Sequence, residues 1–254
     1  PPAGRASGEH GGPETEAGDP VTRARWKGFT PEVTVIILFG LISLLGDAVY
    51  EGSRSANPQY FSLLHVSAAR VGLAFGIGEF LGYGLRLLAG VLSDRSGRYW
   101  LFMFTGYGML LVVPLIGFTT TWSALVALIL TERIAKALRN PTKDTVVSSV
   151  AENQVGIGFA FGLQEALDQL GAFAGPFIFT LVFYSTGLNG VDQYQFGYRL
   201  LIVPFVILML FLTFVYRRIR QDNLIPAIHR QEFRAEKLQP VFWVYAAFTF
   251  FCTL

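Results

Sequence analysis

Long apolar blocks separated by short polar clusters dominate the chain. Each block approaches the ~20 residues a helix needs to cross hydrocarbon, and none alternates at period two as an outer-membrane strand would. The pattern predicts helices over Pro31–Tyr50, Ala68–Leu92, Tyr99–Phe118, Trp122–Leu138, Gly156–Tyr184 and Gly197–Tyr216, with a continuation of the fourth past Pro141 left open. Pro31 suits a first helical turn. The expected fold class is all-α, a polytopic transmembrane helical bundle. Residues 1–27 carry Gly, Pro, Glu and Arg without an apolar centre, which reads as a disordered cytoplasmic tail rather than a signal peptide. Residues 28–216 form the six-helix transmembrane domain, 217–239 a central cytoplasmic loop, and 240–254 the start of a seventh helix. The first residue is Pro1 and Leu254 lies inside an apolar run; the expectation is a piece of a longer protein.

Composition agrees with the pattern. Hydrophobic residues make up 52% of the 254 and charged residues 15%, whereas soluble domains carry about a quarter charged. Mean hydropathy is +0.45. The net charge of +2 is scattered between apolar runs, which leaves no basic face for nucleic acid to follow. A single cysteine, Cys252, excludes an internal disulfide, and His10, His65 and His229 are too dispersed to suggest a metal site. No cofactor is expected.

Lysine and arginine in the short connections set an orientation. Arg23, Arg25 and Lys27 precede the first helix, Arg95 and Arg98 follow the second, Arg139 and Lys143 the fourth, and Arg217, Arg218 and Arg220 the sixth. The opposite connections hold Arg54, Arg199 and the uncharged Thr119–Thr121. Even-numbered helices should therefore end in the cytoplasm, with the N-terminus there too, in the plasma membrane. Trp26, Trp100 and Trp122 fall near the boundaries, where such rings favour the interface.

Ionisable residues at membrane depth are costly and mark function by default. Asp47 and Glu51 form an i, i+4 pair near the outer end of the first helix. Glu79 and Arg86 are seven apart on the second, Arg133 and Lys136 three apart on the fourth, and Glu165 and Asp168 three apart on the fifth. These eight side chains are candidates for a substrate or proton path, with Glu165 and Asp168 as first choices for a proton carrier and Arg133 as their partner. The alternative is a set of fixed ion pairs ordering the bundle. Gly72, Gly76, Gly78, Gly82 and Gly84 enrich the second helix in close-approach positions. Gly171, Gly175 and Pro176 on the fifth read either as a hinge, since Pro176 removes a backbone donor, or as a packing seam.

Between the second and third helices stands Gly90-Val91-Leu92-Ser93-Asp94-Arg95-Ser96-Gly97-Arg98. It resembles the cytoplasmic loop signature of the major facilitator superfamily, with Tyr99 where a further basic residue often stands. Gly171–Pro176 is similar to the fifth-helix glycine–proline signature of proton-coupled exporters in that superfamily, although Phe177 and Ile178 replace its later glycines. Gly46–Gly52, Glu132–Pro141 and Phe161–Gln169 look like a bacterial branch in which a histidine often replaces Gln164. The resemblance implies two six-helix halves, of which this chain carries the first, and a substrate path between them. It implies that Gly90, Asp94, Arg95, Gly97 and Arg98 form a latch holding one access state. The implied function is secondary active transport of a small solute, with or without proton coupling. A non-transporting sensor or scaffold reusing the fold is the alternative. The implied partners are the solute, the lipid bilayer and a C-terminal half. No Gly-x-Ser-x-Gly elbow, His-Glu-x-x-His or phosphate-cradling loop suggests an enzyme.

Overall fold

The computed structural model describes residues 30–151 and 156–222, together with 240, 241, 243, 244 and 248. The expected tail over 1–27, most of the loop over 217–239 and most of the run over 240–254 lie outside the described residues. Among those described, the chain is helical, in six successive rods.

Helix α1 spans Pro31–Leu63, starting with proline in its first turn and with the Thr30 hydroxyl accepting from the Val33 amide at 3.4 Å. Helix α2 spans Ala68–Ser96. Gly97 ends it at φ +63°, its amide donating to the Ser93 carbonyl at 2.8 Å, so the turn expected there is a left-handed glycine cap. Tyr99–Met109, Val112–Leu115 and the tight turn Ile116–Phe118 follow as one interrupted rod, α3. Pro114 explains the interruption, because its ring crowds the carbonyl four residues back, at Leu110. Helix α4 is Trp122–Ala151 and α5 is Ile157–Ser185. The last rod, α6, comprises Gly190–Leu200 and Ile202–Asp222, with Pro204 placed against Leu200 as Pro114 is against Leu110.

Three rods run well past the lengths expected from the sequence, α6 by starting at Gly190 and ending at Asp222. Helix α1 continues 13 residues beyond Tyr50, to Leu63, so Asp47 and Glu51 lie in its middle and Arg54 is not in a loop. Helix α4 passes through Pro141 to Ala151, so Arg139 and Lys143 belong to the bundle and do not mark a cytoplasmic connection. Both stretches are polar enough to resemble helix ends, yet their charges are answered by other helices. Arg217, Arg218 and Arg220 likewise lie in the last turns of α6.

Five rods are long and apolar enough to cross a membrane. The exception is α4, whose charges disqualify it by composition although its 30 residues reach about 45 Å. It sits at the centre, flanked by α2 and α3, while α5 and α6 pack on α1. The most hydropathic window of α1 is 67% buried and that of α2 only 11%, so α1 and α4 form the core and α2 faces outward.

The α1–α5 contact brings two backbones close together. A side chain at Gly171 would strike the Leu44 carbonyl, and one at Gly175 the Ala48 carbonyl and Gly52 amide. Small residues on both helices therefore mesh, which is the packing-seam form of the Gly171, Gly175 and Pro176 cluster. Helix α5 remains helical through Pro176.

Candidate functional site

Helix α4 carries Arg133, Lys136, Arg139 and Lys143 at steps of three, three and four, which puts all four on one face. That face meets α1 in antiparallel register. At one end Lys143 donates to the Ser43 hydroxyl at 2.8 Å and pairs with Asp168 of α5 at 3.1 Å. One turn along, Arg139 pairs with Asp47 at 3.2 Å. Lys136 reaches Glu51 at 3.8 Å, and Arg133 donates to the Tyr50 hydroxyl and forms an ion pair with Glu79 of α2 at 2.9 Å. Arg54 closes the ladder against Glu51 at 3.6 Å and Glu79 at 4.0 Å.

Glycines make room for these long cations. Arg139, 1% exposed, threads between Gly46 of α1 and Gly106 of α3. A side chain at Gly106 would sit 2.8 Å from the Arg139 Cβ, and one at Gly46 would sit 3.0 Å from its guanidinium. The guanidinium lies over the Tyr107 ring at 5.0 Å, a contact strengthened where water is excluded. On α2, Gly78 and Gly82 face Arg133, whereas Gly72, Gly76 and Gly84 face open space. The glycines of α2 thus fall into a packing set and an open set.

The far end of the ladder opens into a cavity of about 300 Å³ lined by Tyr50, Arg54, Glu79, Tyr83, Arg86, Arg133 and Lys136 among others. Glu79, the acid at its wall, is 42% exposed as a side chain. Five of the eight path candidates (Glu51, Glu79, Arg86, Arg133 and Lys136) therefore line the cavity or pair with a residue that does.

The other three are placed differently. Asp47 lies on the closed part of the ladder. Asp168 and Glu165 do not share surroundings: Asp168 turns inward to Lys143, while Glu165 is exposed and accepts from Gln169 at 2.7 Å. The expected pairing of Arg133 with these α5 carboxylates is corrected: Arg133 pairs with Glu79 of α2, and Asp168 is taken by Lys143, farther along α4. Gln164, one position before Glu165, is buried, with neither end of its amide hydrogen-bonded.

One residue outside the sequence-derived set stands out. Glu132 is 1% exposed and neither carboxylate oxygen has a hydrogen-bond partner. Lys136 and Arg139 lie one and two turns along α4 from it. Close by in the same core, Tyr198 donates to Asn57 at 2.7 Å. Its sequence signal was available, an acid adjoining Arg133 within an apolar run, as was the continuation of the basic spacing to Arg139 and Lys143.

At the α2–α3 turn, Thr145 of α4 donates to Asp94 at 3.4 Å, and a side chain on Gly90 would stand 3.5 Å from Pro141. Arg95 and Arg98 are exposed. The Gly90–Arg98 signature is thus tied to α4 beyond its basic ladder.

A bundle of membrane-length helices describes a multi-pass membrane protein, and charge pairs at mid-helix mark its positions of functional interest. The family model for the Major Facilitator Superfamily matches residues 34–254, and the chain belongs to that superfamily. It is similar to the uncharacterized proteins Mb2288 of Mycobacterium bovis and Rv2265 of Mycobacterium tuberculosis. Each is 34% identical over 220 residues, covering 84% of this chain and 53% of the relative. It is also 28% identical over 141 residues to the uncharacterized MFS-type transporter MJ1317 of Methanocaldococcus jannaschii, covering 55% of this chain and 35% of that protein. The chain thus spans about half the length of the curated relatives it matches.

Proposed function

We propose that this chain is the N-terminal half of a secondary active transporter that moves a small solute by alternating access. The observation that carries the reading is the α1–α4 ladder. Buried charges are expensive to hold in a membrane bundle, and this series opens at one end into a polar cavity at mid-helix depth. A second six-helix half covers the cavity in this reading, and the exposed apolar residues of α2 and α5, Phe80, Leu87, Phe173 and Leu181 among them, suit contact with that half and with lipid.

In this mechanism Gly90, Asp94, Arg95, Gly97 and Arg98 hold one access state, with Asp94 released from Thr145 in the other. Gly171, Gly175 and Pro176 give α5 a sliding seam against α1. Proton coupling, where present, runs through Asp168, whose contact with Lys143 supplies a charge partner that a conformational change can withdraw; exposed Glu165 is the lesser choice. The orientation with the N-terminus in the cytoplasm, in the plasma membrane, is supported by Arg95, Arg98, Arg217, Arg218 and Arg220 at one end of the rods. The connections at the other end, 64–67, 119–121 and 186–189, contain no Lys or Arg.

The test is solute flux into proteoliposomes containing the full-length protein, with and without an imposed proton gradient. Transport that is lost in Asp94→Asn while the protein stays folded supports the latch. Unchanged flux in that variant removes it, and absence of flux for every solute that binds removes the transporter reading.

A further inference from the structure

More cations than carboxylates line the cavity. Arg54, Arg86, Arg133 and Lys136 line it, and the carboxylates within ion-pair reach of these four are Glu51 and Glu79. Within direct ion-pair reach that is four cations against two carboxylates, while Asp144 acts on Arg86, and Asp47 and Glu132 act on Lys136, from farther off.

The unspent donors are localised. Arg133 and Arg54 are committed, the first to Glu79 at 2.9 Å and Tyr50, the second between Glu51 and Glu79. Lys136 is held loosely, 3.8 Å from Glu51, with its ammonium over the Tyr50 ring at 3.9 Å and no hydrogen bond drawn from it. Arg86 rests its guanidinium near the Tyr83 ring at 5.5 Å, and its Nε is buried without a hydrogen-bond acceptor. Two cations with unspent donors thus share one cavity, each beside a tyrosine ring.

Charges at this depth are tolerated when paired. An arginine offers a planar fork suited to carboxylate or phosphate oxygens, and a lysine a mobile point charge. We propose that the cavity binds a small organic anion, a carboxylate or phosphate ester, through Arg86 and Lys136, with its carbon skeleton against Tyr50 and Tyr83. The volume of about 300 Å³ is at the small end of ligand pockets, which suits a one-ring or short-chain acid. The assignment deepens the transporter reading and rests on it for its physiological meaning, but binding is measured separately from flux.

The experiment measures thermal unfolding of the purified full-length protein with benzoate, phthalate or phenyl phosphate, against uncharged benzamide and cationic benzylamine at equal concentration. The anions raise the midpoint in a concentration-dependent way and the other two do not, because only a ligand that binds the folded state shifts unfolding. Lys136→Gln and Arg86→Gln each weaken the anion about tenfold, the double variant abolishes the shift, and Lys136→Arg restores it. A ligand-free midpoint within a few degrees of the parent certifies that the variants fold. A shift with benzylamine, equal anion shifts in the double variant, or no shift with any of the three anions overturns the proposal. The last result is what a carboxylate from the remaining half, already seated on Arg86 and Lys136, would produce. Anion binding without flux keeps the site and removes the transporter reading. Flux of a neutral or cationic solute, unaffected by the double variant, does the reverse.

Discussion

The two ends of the α1–α4 ladder use the same chemistry and differ in what surrounds it. At the closed end, Arg139 is 1% exposed, wedged between Gly46 and Gly106 under Tyr107, and pairs with Asp47. Lys143, 5% exposed, is shared by Ser43 and Asp168. At the open end, Glu79 is 42% and Arg54 50% exposed as side chains, and the pairs border a cavity. A fixed, desolvated pair orders a bundle and punishes the loss of one partner. A solvated pair contributes little to stability, and its members remain available to a ligand.

Removing one partner at the closed end should have the largest effect. Arg139→Ala empties a buried site and leaves Asp47, 19% exposed, without its direct counter-charge; it should destabilise the full-length protein by about 3 kcal/mol. This is read as a lowered unfolding midpoint or loss of a monodisperse solubilised protein. The double change Arg139→Met with Asp47→Leu should recover most of that loss. If the single variant melts like the parent, the closed end is not structural.

The α1–α5 seam comes next. Gly175→Val places atoms against the Ala48 carbonyl and Gly52 amide, and overpacking of that kind costs about 1–3 kcal/mol. Flux should fall more steeply than stability if the seam must slide, and in proportion to stability if it only packs.

Glu132 separates ordering from function. Replacing a buried, unpartnered carboxylate with an apolar residue of similar volume is often neutral, or stabilising by about 1–4 kcal/mol. Glu132→Leu should therefore leave the unfolding midpoint unchanged or raised while reducing flux. A midpoint lowered by several degrees would instead make Glu132 part of the framework.

The smallest stability effect is expected at the open end. Glu79→Gln should cost about 1 kcal/mol, because Glu79 is 42% exposed and Arg133, only 4% exposed, keeps the Tyr50 hydroxyl as an acceptor. It also frees Arg133, so binding of benzoate should tighten rather than weaken. An unfolding midpoint lowered as far as in Arg139→Ala would erase the distinction between the two ends.

Much of the architecture was legible in the residues. Apolar runs of bilayer length imply helices because every backbone donor must be satisfied within the segment, and Gly97 implies a left-handed cap because a Cβ is penalised there. The Gly90–Arg98 signature pointed to the superfamily that the family match bears out. The end of α1 falls beyond the expected one, and the continuation of α4 past Pro141 stays open in the sequence, for a common reason. Arg54, Arg139 and Lys143 look like residues at the edge of a membrane because a lone charge in hydrocarbon is prohibitive. Their cost is offset by Glu51 and Glu79, Asp47, and Asp168, on the same or other helices, and which helix supplies the partner depends on packing. The same holds for Glu165 and Asp168: spacing put them on neighbouring positions of one face, but the crossing of α5 with α1 and α4 turned one to Lys143 and left the other outside. Local pattern sets which segments become helices; which charges are buried together depends on how those helices cross, because a charge pair is made between surfaces rather than within one.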